Sequence, residues 1–183
     1  MGKKKTIGWA KMVVMGHSQG GNTAGFIGSV NKVARVVMMG SPTAGAEVEE
    51  PETDESEPKR GEPQKVEPKK IEPKKPEPKI PEPKTEEPKA ETTFQVATWV
   101  TGPFKTAKLK YYVFVHTDDP RWEKFQLVSK AMKVPGAFKQ VDGESPPFDN
   151  AHRLKTSAKT NKPHGAPVKN EDYVPVWRYL MGK

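Results

Sequence analysis

The stretch VVMGHSQGG, residues 13–21, carries the strongest structural signal in this sequence. It starts as an apolar run of strand length, which its glycines and serine then interrupt. The small residues that follow, at positions 20–29, favour a helix. A buried strand that turns sharply into a helix is the unit from which parallel α/β sheets are built. The stretch therefore predicts a domain of the α/β class.

The rest of the chain repeats this alternation on both sides of a proline-rich stretch. Apolar runs of strand length occur at residues 11–15, 33–39, 109–115 and 137–141. Spacings suited to helices occur at residues 120–132 and 173–181. Strands that alternate with helices predict a parallel sheet with flanking helices.

A proline-rich repeat interrupts the chain between residues 47 and 91. Glu-Pro recurs there with a strict five-residue period, at positions 57, 62, 67, 72, 77, 82 and 87. These prolines remove backbone donors and prevent an α-helix, and little of the segment is apolar enough to offset the entropy of ordering it. We expect a disordered insertion biased towards polyproline II. Residues 1–46 and 92–183 would then be two halves of one domain.

The composition excludes several kinds of site. The 183 residues contain no cysteine, which excludes disulfides, a thiolate nucleophile and a thiolate zinc site. The chain carries 31 basic and 23 acidic residues. Residues 47–91 hold 10 of the basic and 15 of the acidic residues. The rest of the chain therefore has 21 basic and 8 acidic residues, a net charge of +13. These lysines are scattered without a nucleic-acid-binding motif, which favours a solvated basic surface over a specific nucleic-acid interface. No transmembrane segment or signal peptide is predicted, so the cytoplasm is the default location.

Gly16, Ser18 and Gly20 match the pattern G-x-S-x-G, which is typical of a nucleophile elbow. In such a turn the serine lies between a strand and a helix, and its hydroxyl projects from the edge of the sheet. We expect glycine on both flanks because a side chain there would collide with neighbouring backbone. The helix behind the serine would direct its first amides at developing negative charge. The pattern therefore predicts a nucleophile at Ser18.

The GHSQGG elbow resembles that of the α/β-hydrolase-fold serine hydrolases, and more narrowly that of bacterial proteins related to chlorophyllases and polyester hydrolases. The likeness continues through YYVFVHTDDP at residues 111–120, the segment around His152, and VPVWRYLMG at residues 174–182. This resemblance implies that the fold is a partial α/β-hydrolase sheet. It also implies that the protein hydrolyses an ester or related acyl bond of a small molecule. It also implies a catalytic triad in the chain order serine, acid, histidine, which needs no metal or organic cofactor.

The resemblance places the acid of the triad in the loop behind the predicted strand at residues 109–115. Asp119 is the expected acid, because Asp-Pro at positions 119–120 resembles the acid turn of the family. Asp118 is the alternative. Whichever aspartate is not the acid is expected to cap the following helix.

The chain contains four histidines, and the resemblance assigns the catalytic role to one that follows the last strand. His152 is the expected base, and His164 is the alternative because its loop is long enough to return it to the site. His17 is expected to point away from the serine as a packing or substrate-wall residue. His116, at a strand end, is expected to be a hydrogen-bonded structural histidine.

The backbone N–H of Gln19, directly after the serine, would supply one donor of the oxyanion hole. In the family the second donor comes from strands that precede the elbow, and those strands are not found in this sequence. We therefore expect a partial fold whose missing strands a complementing chain or a second copy would supply. The alternative hypothesis is a non-catalytic remnant or interaction protein that displays the proline-rich repeat to a partner.

Overall fold

A computed structural model describes residues 7–49 and 92–183. The strands in these residues are β1 (Val13–His17), β2 (Arg35–Met39), β3 (Gly45–Glu49), β4 (Thr92–Val96), β5 (Tyr111–His116), β6 (Phe138–Gln140) and β7 (Arg153–Thr156). Five of them form one sheet in the order β1-β2-β5-β7-β6, and every neighbouring pair is parallel. The strands β3 and β4 form a separate two-stranded sheet.

Helices connect the strands of the larger sheet and cover it. The α-helices are α1 (Gln19–Val30), α2 (Thr98–Thr101), α3 (Trp122–Ala131), α4 (Ala166–Lys169) and α5 (Val174–Met181). Short 3-10 helices occur at Trp9–Lys11, Lys108–Lys110, Phe148–Asn150 and Glu171–Tyr173. Helix α1 packs against β1 and β2, α3 and α4 contact β5, and α5 contacts β2.

The sheet has an apolar core on each face. Along β2, Val36 and Met38 belong to one core, and Val37 and Met39 belong to the other. This alternation follows from the two-residue period of side chains along a strand. All six residues of β5 are buried, because this central strand has a strand on each side and a core on each face. Its continuous apolar sequence is the pattern expected of such a strand.

The predicted parallel α/β sheet is confirmed. The four predicted strands correspond to β1, β2, β5 and β6, and the three predicted helices correspond to α1, α3 and α5, with ends shifted by one or two residues. The elements β3, β4, β7, α2 and α4 are not predicted from the sequence. Strand β7 reads RLKT, and Leu154 is its single large apolar residue, so its hydrophobic pattern is too weak to be recognised.

The position of β7 determines where two histidines can lie. Because the strands are parallel, all of them end at the same edge, which we call the carboxyl edge of the sheet; the opposite edge is the amino edge. His152 immediately precedes β7 and so lies at the amino edge. The chain that leaves Thr156 starts from the carboxyl edge and leads to His164. The two candidate histidines therefore belong to opposite edges.

The described residues fall into two units, residues 7–46 with 94–183 and residues 47–49 with 92–93. The proline-rich repeat lies outside the described residues, so the disordered insertion stays a prediction. In the part of the chain that the structure describes, no helix is both long and apolar enough to cross a membrane.

Strand β1 forms one side of the five-stranded sheet. Among the described strands none pairs with its outer side, and Val13 and Met15 are 39% and 45% exposed. An unpaired apolar edge of this kind is a template for strand addition. The complementing chain or second copy expected from the sequence stays a prediction.

Candidate active site

Ser18 stands on a strained turn at the carboxyl edge, between β1 and α1. Its backbone has φ 56° and ψ −122°, a conformation that a residue with a side chain rarely adopts. The turn is held by the Ser18 N–H, which donates to Met39 O at 2.9 Å, and by the Ser18 carbonyl, which accepts from the amides of Gly21 and Asn22. Such strain persists only where the surrounding structure imposes it, and it is concentrated at functional sites.

The three glycines around Ser18 have different roles. A Cβ on Gly16 would collide with the backbone carbonyl of Gly20, and a Cβ on Gly21 would lie 2.6 Å from the Cβ of Ser41. A Cβ on Gly20, in contrast, would meet nothing within 4 Å. The elbow therefore requires glycine on the strand side of the serine. The expected collision at Gly20 is wrong, because α1 turns this position away from its neighbours.

Asp119 is the buried acid of the carboxyl edge. It follows β5, is 2% exposed, and accepts a hydrogen bond at 3.0 Å from the backbone N–H of Arg121. Its other carboxylate oxygen, Oδ2, lies 2.6 Å from His164 Nδ1. Asp118 is exposed, and its carboxylate accepts only from the Thr117 hydroxyl at 3.3 Å among the described residues. The geometry thus brings Asp119 rather than Asp118 to the histidine.

His164 lies between Asp119 and Arg121, and these partners define its tautomer. The Arg121 guanidinium can only donate, so His164 Nε2, 3.2 Å from Arg121 Nη1, accepts. Its Nδ1 then carries the proton and donates to the Asp119 carboxylate. The ring is therefore a neutral imidazole with a carboxylate behind Nδ1 and a lone pair on Nε2. This is the arrangement that a general base requires.

His17 and Gly40 place the His164 ring over the end of β1. The His17 Nε2 donates to the backbone carbonyl of His164 at 2.7 Å, and the two ring centres are 4.6 Å apart. A Cβ on Gly40 would come within 3.1 Å of His164 Cε1, and Gly40 follows Met39, which binds the Ser18 amide. His164 thus lies at the same edge as Ser18, whose hydroxyl makes no hydrogen bond within residues 7–49 and 92–183.

The role of His17 in holding the loop of His164 was missed by the sequence analysis. His17 was expected to pack or to line the substrate site, and nothing in the sequence linked it to a residue 147 positions away. The contact arises because β1 and the loop after β7 end at the same edge of the sheet. Only the sheet order could have indicated it.

His152 lies at the amino edge, so the expected placement beside Ser18 is not what the structure shows. Its Nδ1 donates to the backbone carbonyl of Tyr111, the first residue of β5, at 3.2 Å. Its ring stacks on Tyr112 with a centroid distance of 4.6 Å. The physical reason is the unpredicted strand β7: a histidine that precedes a parallel strand cannot lie at the edge where the nucleophile strand ends.

His116 has the contacts of a structural histidine. It is fully buried, its Nε2 donates to Ala158 O at 2.8 Å, and its Nδ1 accepts from the Asp118 amide at 3.0 Å. The ring joins the end of β5 to the chain that leaves β7. It thereby supports the loop that carries His164.

A polar network anchors the other side of that loop. Asp142 accepts hydrogen bonds from the Thr156 hydroxyl at 2.6 Å and the Ser157 amide at 2.7 Å, and also from the Gln140 side chain. Burial acts to raise the pKa of Asp142, but these donors together outweigh it and lower the pKa below its usual value. The network fixes the point where the chain leaves β7 towards His164.

The backbone at the start of α1 offers a donor beside the serine. Among the described residues, the amide N–H of Gln19 has no acceptor, as is usual for the first turn of a helix. It belongs to the residue directly after Ser18 and lies at the positive end of the helix dipole.

Comparisons with known proteins add no assignment. Within the described residues, no group of three or more histidine, aspartate or glutamate side chains could hold a metal ion. No protein-family model, no curated protein and no solved structure matches this chain. At one edge of the parallel sheet, the site brings together a serine on a strained turn, a histidine and a buried carboxylate.

Proposed function

We propose that the chain is a serine hydrolase that cleaves an ester or related acyl bond, with Ser18 as nucleophile, His164 as general base and Asp119 as its orienting acid. One observation carries this proposal: the buried Asp119 carboxylate is paired with His164 Nδ1 at the edge where Ser18 occupies its strained turn. We assign to His164 the role expected of His152, because the loop after β7 starts from that edge and His152 lies at the opposite one.

The proposed reaction has two acyl-transfer steps. Ser18 Oγ attacks the carbonyl carbon, and its proton passes to His164 Nε2. The imidazolium then gives this proton to the leaving alcohol, and the acyl group remains on Ser18. Water, deprotonated by the same nitrogen, attacks the acyl-enzyme and releases the carboxylic acid with the serine restored. No metal or organic cofactor takes part in this chemistry.

The surroundings of His164 favour this reaction over a purely structural role. Asp119 is positioned to stabilise the imidazolium that forms when Nε2 takes the proton. The Gln19 amide is positioned to donate to the oxygen that becomes negative in the tetrahedral intermediate. One donor typically contributes about 100- to 1,000-fold to turnover, so a second donor would raise the rate further.

The resemblance to α/β-hydrolase-fold serine hydrolases supports the same proposal, since the chain order Ser18, Asp119, His164 is the order of that family. The alternative of an interaction protein that displays the proline-rich repeat depends on residues outside the described part of the chain. No observation in the described part favours it, so the hydrolase is the function proposed.

Labelling with a fluorophosphonate probe tests the proposal. We expect the wild-type chain to take up the probe and Ser18→Ala to take up none, because only an activated serine attacks phosphorus at a useful rate. Ser145→Ala, at an exposed loop serine, is the matched control and should label like the wild type. Absence of labelling in a wild-type protein that circular dichroism shows to be folded, or equal labelling of Ser18→Ala, would exclude Ser18 as the nucleophile.

A further inference from the structure

Arg121 occupies the nitrogen of His164 that the proposed reaction needs. Its Nη1 lies 3.2 Å from His164 Nε2, and its Nε lies 3.8 Å from Asp119 Oδ1. Nε2 has a single lone pair, so it cannot accept from the guanidinium and take the proton of Ser18 at the same time. Arg121 and Ser18 therefore compete for one acceptor.

The Arg121 guanidinium retains donors that no described acceptor uses. A guanidinium has five N–H donors, of which Arg121 directs one at His164 and one towards Asp119. Among the described residues no acceptor contacts its Nη2, and its side chain is 43% exposed. It is thus a partly solvated cation with unused donors beside His164 Nε2.

The loop that carries His164 adds positive charge. Its sequence KTNKPHG, residues 159–165, contains two exposed lysines and no acidic residue. Among the described residues Asp119 is the single buried carboxylate, and it is already engaged by His164 Nδ1 and the Arg121 amide. Arg121 therefore offers an anionic group beside His164 a cation whose donors Asp119 does not saturate.

From this geometry we infer that Arg121 recognises a carboxylate on the substrate and that this contact releases His164 Nε2. The inference rests on the proposed function and names its substrate class: half-esters of short dicarboxylic acids. A carboxylate binds a guanidinium through two parallel hydrogen bonds, which a neutral imidazole cannot match. Binding of the carboxylate therefore draws Arg121 away from Nε2, and the lone pair becomes available to the Ser18 proton. Arg121 is a specificity-determining residue and takes no proton itself.

Two 4-nitrophenyl esters of equal chain length test this inference: the mono-ester of adipate, which keeps a free carboxylate, and the ester of hexanoate, which has none. We expect the wild type to prefer the adipate ester. In Arg121→Met, kcat/KM for the adipate ester should fall about 10- to 100-fold, as expected for loss of a charged hydrogen bond. For the hexanoate ester it should rise about 2- to 10-fold, because Nε2 is no longer occupied.

Two control variants separate recognition from general damage. Arg178→Met removes an exposed arginine of α5 and should leave kcat/KM unchanged for both esters. Arg121→Lys keeps the charge but loses the two-pronged contact, so its preference for the adipate ester should be intermediate. The inference fails if Arg121→Met lowers kcat/KM equally for both esters, or leaves the ratio of the two kcat/KM values unchanged. If hydrolysis still depends on Ser18 in that case, the hydrolase proposal stands.

A binding measurement keeps the inference testable without turnover. Adipate itself is titrated into the Ser18→Ala protein while the ¹⁵N resonances of the His164 ring are followed. We expect the Nε2 resonance to shift when Arg121 is present and to stay fixed in Ser18→Ala with Arg121→Met. A shift in a chain that neither hydrolyses esters nor takes up the fluorophosphonate would support the anion site and refute the hydrolase. No shift with Arg121 present would refute the anion site.

Discussion

The two edges of the sheet each carry a histidine in contact with strand ends, yet only one has the partners of a general base. At the carboxyl edge, His164 has a buried carboxylate on Nδ1 and an arginine on Nε2. At the amino edge, His152 has a backbone carbonyl on Nδ1 and a tyrosine ring against its face. A carboxylate stabilises the imidazolium, whereas a neutral carbonyl only orients the ring.

The contrast shows that the edge of the sheet at which a histidine lies decides which partners it contacts. His152 is nearer in sequence to the predicted strand at residues 137–141, and that proximity favoured it. His164 is reached only after a further strand, β7, which returns the chain to the edge of Ser18. The two histidines are twelve positions apart in sequence, but strand β7 and a loop lie between them, so they lie at opposite edges of the sheet.

Replacing each of the two histidines by glutamine gives the largest expected difference in activity. His164→Gln should lower kcat/KM for an aryl ester by about 10,000-fold or more, because the base of a triad is lost. His152→Gln should change it by less than about threefold and should cost about 1 kcal/mol of stability, since a hydrogen bond and a ring contact are altered. Steady-state kinetics and urea unfolding of both variants measure the two effects.

If His152→Gln were inactive and His164→Gln active, the active site would lie at the amino edge. The proposed difference between the two edges would then be wrong. Circular dichroism of both variants serves as the control, because an unfolded His164→Gln chain would lose activity for an unrelated reason.

The glycines on either side of Ser18 give the next effect. Gly16→Ala should lower the free energy of unfolding by about 3 kcal/mol, because its Cβ would meet the Gly20 carbonyl and force the backbone to move. Gly20→Ala should raise it by about 0.5 to 1 kcal/mol, since the added Cβ meets nothing and the unfolded chain loses freedom. The urea denaturation midpoints of the two variants measure these effects. Equal destabilisation by Gly16→Ala and Gly20→Ala would contradict the geometry described for the elbow.

The network of Asp142 gives the smallest effect, one that depends on pH. Its folded pKa is lowered, because its hydrogen-bond donors outweigh the effect of burial, so its contribution is present above the unfolded pKa of about 3.9. That contribution is lost as the pH falls through the folded value. Asp142→Asn should therefore be less stable at pH 7, by about 0.5 to 1 kcal/mol, and should lose less stability between about pH 5 and pH 3.

Asp118→Asn, at an exposed carboxylate beside the site, is the matched control and should follow the wild-type acid profile. Urea unfolding at pH 7, 5 and 3 supplies the data. An Asp142→Asn curve parallel to that of the wild type would show that this network does not anchor the chain where it leaves β7.

The sequence predicted the fold class because strands with apolar neighbours on both faces must themselves be apolar. Residues 33–39 and 109–115 meet this condition at the centre of the sheet, as β2 and β5 do in the structure. Strand β7, which lies between β5 and β6, could not be recognised, because its RLKT sequence buries Leu154 and Thr156 and leaves the basic side chains half-buried. Arg153 pairs instead with the Val134 carbonyl, a contact distant in sequence.

The residues of the proposed site were therefore predictable to different degrees. The strained turn at Ser18 is a local property, which glycine at position 16 and a following helix determine, so the motif alone indicated it. Asp119 was expected from the resemblance, with Asp118 as the alternative, and only the structure shows which of the two contacts His164. Arg121 gave no signal, because its contact with His164 joins residues 43 positions apart.

By itself the sequence determined a parallel α/β sheet and a serine on a tight turn, since backbone sterics and the burial of apolar runs act over a few neighbouring residues. Only the tertiary structure decided which histidine lies at the same edge of the sheet as that serine, and that Arg121 contacts the Nε2 of this histidine. The reason is that strand order and direction set which loops meet at an edge, and that order depends on long-range pairing which no short stretch encodes.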